Sequence, residues 1–270
     1  MNAMELIRHR RSVRTFDGNP LKEEDINRIL SITADAENPY KIPITWKLLD
    51  IKKNNLKSPV IVGADTFIAG KMQQVSHAEE AFGYSFEKIV LGVEAIGIGT
   101  TWIAGTMDRP AFERAMGLGD GEVMPCVSPV GYPAKKMSLR EGVMRKGVKA
   151  DSRMPFGELF FSEEFGKPAE ISDKMRDILE MVRWAPSAVN KQPWRVVVCG
   201  GTFHFYEQKS RGYVSESGWD LQKIDMGIAL YHFAFGAASS GLHADFVLDD
   251  PGIAVPDHID YVASYVVKDL

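Results

Sequence analysis

Cysteine is nearly missing from this chain of 270 residues, in which only Cys126 and Cys199 occur. Neither sits in a CxxC pair or beside a histidine cluster, so both read as small core residues suited to a reducing compartment. No run of about 18 apolar residues is present to cross a bilayer. The charged stretch Glu5-Leu6-Ile7-Arg8-His9-Arg10-Arg11 lacks the apolar centre and cleavage site of a secretory signal, so a soluble, cytoplasmic protein is expected. His9, His77, His204, His232, His243 and His258 show no HExxH or HxH spacing. No metal site is expected, and each histidine reads as structural. A GxSxG element is lacking, which leaves a serine hydrolase unsupported. Gly97-Ile98-Gly99 has neither the third glycine nor the preceding strand of a dinucleotide fingerprint. With a net charge of -4, there is no global attraction to nucleic acid or anionic membrane, so any cationic site must be local.

What the chain does have is an internal repeat. Gly83, Gly92 and Gly97 in AFGYSFEKIVLGVEAIGIGTTW align with Gly227, Gly236 and Gly241 in DMGIALYHFAFGAASSGLHADF at one offset, since 227−83 = 236−92 = 241−97 = 144. At that offset Phe86 faces Leu230, Ala95 faces Ser239, Ile98 faces Leu242 and Trp102 faces Phe246. Both segments read as buried helices ending at a left-handed glycine, Gly97 and Gly241. The small residues Gly92 and Gly236 would let another helix approach closely. Upstream, Asn19-Pro20-Leu21-Lys22-Glu23-Glu24 predicts a capped helix start with proline in the first turn, followed by the stripe Ile26, Ile29, Leu30, Thr33. Its counterpart starts near Ser172-Asp173, with Met175, Ile178, Leu179 and Val182. Each helix leads through a polar loop to a proline, a tryptophan and a strand: Pro43-Ile44-Thr45-Trp46-Lys47-Leu48-Leu49 and Pro193-Trp194-Arg195-Val196-Val197-Val198. The expected unit is helix, loop, strand, long helix, strand, closing at Cys126 to Val130 and at Tyr261 to Val267. The aromatics Phe203, Phe205 and Tyr206 alternate as in a strand and read as core. An α+β fold of two duplicated half-units follows, divided as residues 1–160 and 161–270.

The halves differ where chemistry would sit. The first opens with Arg10-Arg11-Ser12-Val13-Arg14-Thr15-Phe16, a cationic stretch that the matching Glu163-Glu164-Phe165-Gly166-Lys167-Pro168 lacks. Guanidinium forks bind a phosphate monoester bidentately, which scattered surface charge does not. The second half carries Ala185-Pro186-Ser187-Ala188-Val189-Asn190-Lys191-Gln192-Pro193-Trp194, where small residues, a hydroxyl and two carboxamides suit a flat polar-edged ring. The equivalent loop, Ala36-Glu37-Asn38-Pro39-Tyr40-Lys41-Ile42-Pro43, has lost that pattern. One motif kept only in the first half and the other only in the second predicts one composite site. A symmetric homodimer would need both in every subunit.

These residues resemble the nitroreductase family of flavoproteins, whose R-x-S-x-R/K-x-F and A/S-P-S-x-x-N-x-Q-P-W segments match the two motifs. Family members bind FMN at a dimer interface with the basic motif from one subunit and the P-S-x-x-N loop from the other. The closer likeness is to a branch built as single-chain pseudo-dimers, and it spans about Glu5 to Val267. The resemblance implies a nitroreductase-like fold in which Arg10, Arg11, Ser12 and Arg14 hold the phosphate, ribityl chain and pyrimidine edge of FMN. Pro186, Ser187, Ala188, Asn190 and Gln192 would reach it from the other half. Gly97 to Gly105 resembles the family's G-L-G-x-x-W-x-G-G stretch, which implies that Ile103, Ala104 and Gly105 pass the reactive edge of the ring. Val130-Gly131-Tyr132-Pro133-Ala134 matches the family's G-Y-P-A turn, and Lys149 and Arg153 are the implied basic residues beyond it. Ala104 stands where many members have glycine, and Ala188 replaces a frequent serine.

The basic stretch from Arg140 to Phe161 reads as a solvated connector between the halves. The implied activity is ping-pong transfer of reducing equivalents from NADH or NADPH through FMN to a nitroaromatic, quinone or similar small acceptor. The expected state is a monomer acting as its own dimer, with no nucleic-acid or membrane partner. Two other readings stand beside it: a flavin-binding or flavin-handling protein of the same fold without nitroreductase turnover, and an anion or nucleic-acid binder using Arg8, Arg10, Arg11 and Arg14.

Overall fold

The computed structural model describes residues 1–214 and 218–268. In chain order the first half contains α1 (Ala3–His9), α2 (Glu23–Ala34), β1 (Thr45–Asp50), α3 (Ile51–Asn54), β2 (Thr66–Gln73), α4 (Ala78–Ala95), β3 (Gly99–Thr100), α5 (Arg109–Met116), β4 (Glu122–Val123) and β5 (Val127–Gly131). A connecting stretch holds α6 (Leu139–Gly147) and α7 (Phe156–Leu159). Then come β6 (Phe160–Ser162), α8 (Asp173–Arg183), β7 (Trp194–Cys199), β8 (Thr202–Gln208), α9 (Leu221–Ser239), β9 (Ala244–Val247) and β10 (Ile259–Val267).

Strand order displays the duplication. One sheet runs β1-β2-β5-β3, with β4 also paired to β2, and the other runs β6-β7-β8-β10-β9. Without β4 and β6, each sheet is the same hairpin followed by the closing strand and then the strand after the long helix. The unit thus contains a second hairpin strand, β2 or β8, absent from the sequence-derived outline. In β2 the pattern is hard to read because the strand is buried on both faces along Phe67 to Gly70, which removes the alternation that marks a half-exposed strand. Gly70 is explained by its partner. A Cβ there would lie 2.3 Å from the ring of Trp46, its register neighbour on β1.

The long helices α4 and α9 form the centre and are buried nearly all round. They cross at Gly83 and Gly227. A Cβ on Gly83 would lie 2.0 Å from the carbonyl oxygen of Ile224, and one on Gly227 would lie 2.0 Å from that of Glu80. Residues 80 and 224 are separated by the same offset as the glycines, so each half makes to the other the contact it receives. That reciprocity defines an isologous interface, here closed within one chain. Gly92 and Gly236 admit the outer helices: added Cβ atoms would meet Ile32 of α2 at 2.8 Å and Met181 of α8 at 3.0 Å. Gly97 and Gly241 are left-handed, with φ of 81° and 71°, as expected for residues that stop these helices.

The two outer helices start differently. Ser172 caps α8 by accepting the Met175 amide. In contrast, α2 begins at Glu23 after Lys22, with no side-chain cap, because the Asn19 carboxamide bonds Asp17 instead and Leu21 is buried as an anchor. Among the described residues, no helix is long and apolar enough to cross a membrane.

Candidate functional site

The basic segment runs along the first half, pinned by isolated backbone bridges at Ser12, Thr15 and Phe16. Val13 donates its amide to Thr100 of β3, and Phe16 to Val62. Val13 and Phe16 are buried, and both fill space that glycines leave: a Cβ on Gly99 would lie 2.9 Å from Val13, and one on Gly131 would lie 2.9 Å from Phe16. The apolar members of the motif therefore lock it to β3 and to the Gly131-Tyr132-Pro133 turn. Arg10, Arg11, Ser12 and Arg14 are left along a cavity of about 560 Å³.

The other wall is the loop after α8. Pro186, Ser187, Ala188 and Asn190 line the same cavity, as do Ala104, Gly105 and Arg153. The structure thus brings together segments of both halves. Ile103, Lys149 and Gln192 are placed otherwise. Ile103 is buried in the first-half core and exchanges both backbone bonds with Val127. Lys149 is exposed, and it is its carbonyl that accepts from Asn190 at 2.9 Å. The Gln192 carboxamide is spent inside the protein, accepting from the Met154 amide at 2.8 Å and donating to the Asn190 carbonyl.

This loop is strained and held. Val189, Asn190 and Gln192 all have left-handed φ, between 51° and 58°. For a β-branched valine in particular that conformation persists only where surrounding bonds impose it. Those bonds are present: Gln192 donates its amide to Ser187 Oγ at 2.8 Å, Asn190 Nδ2 donates to the carbonyls of Lys149 and Ser152, and the Ala188 amide donates to the Asp225 carboxyl.

The stretch from Arg140 to Phe161 is not a free connector. Its helix α6 and the turn beyond it close the cavity with Met144, Arg145, Val148 and Arg153. Glu141, fully buried, accepts from Arg11 Nη1 at 3.0 Å, the Arg14 amide at 3.2 Å and Thr15 Oγ1 at 2.8 Å, so α6 clamps the basic segment from behind. Reading Arg140 to Phe161 as solvated overlooked Glu141, whose burial among three donors does not show in a count of positive charges.

The electrostatics call for an anion. Arg153 rests on Trp184, with the guanidinium 4.9 Å from the ring centre, and donates to the carbonyls of Ala150, Ser152 and Trp184. Burial, then the nearby Arg10 and Arg183, push its guanidinium down to about 10. Arg14 is lowered by burial, against the pull of Glu141 and with the push of Arg145. The Nε atoms of Arg10 and Arg153 are buried without a partner. Clustered guanidiniums with unspent donors are what a bidentate anion satisfies.

The opposite side of the pseudo-twofold is filled. Trp102, Leu221, Ile224 and Ile228 line the cavity, and at the 144-residue spacing their counterparts are Phe246, His77, Glu80 and Tyr84. Tyr40 sits among these, stacked on His77 with centroids 5.3 Å apart and edge-on to Phe246 at 4.8 Å. Aligning Trp46 with Trp194 puts Tyr40 opposite Ala188, and the left-handed Lys41 opposite the left-handed Val189.

A protein-family model described as "Putative TM nitroreductase" matches residues 2–237. Among solved structures, a "putative nitroreductase" from Thermotoga maritima MSB8 is 21% identical, with a TM-score of 0.63, over 99% of this chain and 93% of its own. A nitroreductase family protein from Clostridium difficile 630 is 17% identical with a TM-score of 0.47, covering 58% of this chain and 96% of its own. A nitroreductase with bound FMN from Bacteroides fragilis NCTC 9343 is 18% identical with a TM-score of 0.41, covering 52% and 92%. None of the curated proteins matches. The two duplicated sheets, the glycine crossing between them and the family match across most of the sequence lead to one conclusion: the chain belongs to the nitroreductase family described as "Putative TM nitroreductase".

Proposed function

We propose that this protein is an FMN-dependent oxidoreductase that takes reducing equivalents from NADH or NADPH and passes them, in ping-pong turns, to a nitroaromatic, quinone or similar small acceptor. The observation that carries this reading is the convergence on one cavity of Arg10, Arg11, Ser12 and Arg14 from the first half with Pro186, Ser187, Ala188 and Asn190 from the second. We divide the halves at about residue 160, within the connector, which makes the chain a monomer acting as its own dimer.

The residues fit the cofactor. The cavity volume of about 560 Å³ falls in the ordinary range for small-molecule sites, and the unpartnered Nε atoms of Arg10 and Arg153 supply what a phosphate monoester requires. Arg10, Arg11, Arg14 and Arg153 would hold the phosphate, with Ser12 on the ribityl and pyrimidine side. Ser187 and Asn190 would meet the ring from the second half, and Ala104 and Gly105 would pass its reactive edge, with Ile103 anchoring that stretch to Val127 behind them. Gln192 and Lys149 act behind them, Gln192 by tying the loop to Met154 and Lys149 through its carbonyl to Asn190. FMN, when bound, supplies the hydride chemistry itself. The tasks of the chain are to anchor the phosphate, orient the ring and keep one face open.

Purified protein reconstituted with FMN, freed of excess flavin and mixed anaerobically with NADH or NADPH tests this directly. Loss of the flavin absorption bands, restored by a quinone or nitroaromatic, is the expected result. Retention of FMN without bleaching by either nucleotide would remove the activity, and failure to retain FMN would remove the cofactor.

A further inference from the structure

The buried carboxyl group of the cavity wall belongs to neither motif. Asp225 lies in the first turns of α9, lines the cavity and is 3% exposed. Both carboxyl oxygens lie 3.0 Å from the amide nitrogen of Ala188. The two oxygens share this one N–H, which leaves the carboxyl group capacity for a second partner. The fold itself does not require a carboxyl group here. At the matching position of the first half, 144 residues earlier, stands Ala81, fully buried on α4.

The surroundings disfavour the carboxylate. Burial drives the Asp225 carboxyl well above the usual range. The Ala188 amide pulls it back in part, and the negative charges of Asp220 and Glu207 add to the rise. Asp220 caps its own helix, and Glu207 comes from β8. The charge of Asp225 is also felt by Tyr213, ahead of α9, and by Cys126, ahead of β5, with Arg109 of α5 acting on Cys126 in the opposite sense. Elsewhere on the cavity wall are His9 from α1, Arg10, Arg11 and Arg14 from the basic segment, and Arg145, Asp151 and Arg153 from the connector. Buried carboxyl groups kept neutral in this way become hydrogen-bond donors.

We propose that Asp225 donates its hydroxyl hydrogen to an acceptor atom on the edge of a planar heteroaromatic ring bound in the cavity, and so selects rings bearing carbonyl or imine-type acceptors. This rests on the flavin reading above. The Ala188 bond fixes the second oxygen, so the strained loop and the donor are set by one residue. Loop strain and ring selection are thereby coupled.

Riboflavin is the discriminating probe, because it lacks the phosphate whose own titration would blur the profile. Its affinity for the full chain, followed by fluorescence quenching from about pH 5 to about pH 9, is expected to fall as pH rises through the titration of Asp225. Asp225→Asn keeps a donor that cannot ionise, so its profile should be markedly flatter than that of the wild type. Asp225→Leu, which puts an apolar side chain where the first half has the apolar Ala81, binds riboflavin about tenfold more weakly than wild type at low pH. A difference infrared spectrum should show a protonated carboxyl band that shifts when riboflavin is added and is lost in Asp225→Asn. Identical pH profiles for wild type and Asp225→Asn, or an unshifted carboxyl band, would overturn the assignment while leaving flavin binding intact. Absence of riboflavin and FMN binding in every variant at every pH would overturn both readings together.

Discussion

The ring of Tyr40 meets Phe246 edge-on, 4.8 Å between centroids, on the side of the pseudo-twofold where the counterpart of the cavity would lie. Phe246 is the partner of Trp102, and Tyr40 stands where the second half has Ala188. One protein molecule is therefore expected to take up one FMN. Equilibrium dialysis against FMN should saturate at one per chain, and two bound would show that the Tyr40 side is open. Tyr40→Ala should leave that ratio unchanged, because no arginine motif stands beside it.

Gly83 and Gly227 carry the helix crossing, with no room for a Cβ against Ile224 and Glu80. Alanine at either position should lower stability by about 1–3 kcal/mol or more, since backbone rather than a flexible side chain must move. By the reciprocity of the contact, the two losses should be similar. Urea midpoints of the two variants measure this, and a neutral substitution at either glycine would contradict the crossing.

Arg14 and Arg153 are set apart from ordinary surface cations by their burial and by the arginines around them. If each makes a charge-assisted bond to a phosphate, Arg14→Ala and Arg153→Ala should weaken FMN binding by about 1.5–3 kcal/mol. Riboflavin affinity should change far less. Equal losses for both ligands in a fluorescence titration would place these side chains at the ring instead.

Glu207 is 2% exposed, with one oxygen unpartnered. Burial, with a smaller push from Asp220, moves its carboxyl up to about 7. The folded state thus holds this proton more tightly than the unfolded chain. Its contribution to stability is complete below the usual carboxylate range and is lost as pH rises through about 7. Unfolding midpoints should decline from about pH 5 to about pH 8, and less steeply in Glu207→Gln; parallel profiles would show that another group titrates.

The sequence carried most of the architecture, for definite reasons. The paired glycines, the Pro-Trp entries to β1 and β7 and the two split motifs are local patterns with local physical causes. Several site features are not local. Glu141 acts across more than a hundred residues on Arg11, Arg14 and Thr15, and Asp225 reaches Ala188 from another element. The left-handed Val189 runs against its own conformational preference, so only the tertiary bonds that impose it could reveal it. Tyr40 reads as a lost motif in the sequence, whereas in the fold it is a space-filling group.

The connector that clamps the arginine segment through Glu141 also joins the two halves covalently. A site shared between separate subunits comes apart when the protein is diluted below the dissociation constant of its subunits, whereas tethered walls see each other at a fixed local concentration. The affinity of this cavity for a ligand should thus be the same at every protein concentration, down to the scarcest copy number a cell maintains.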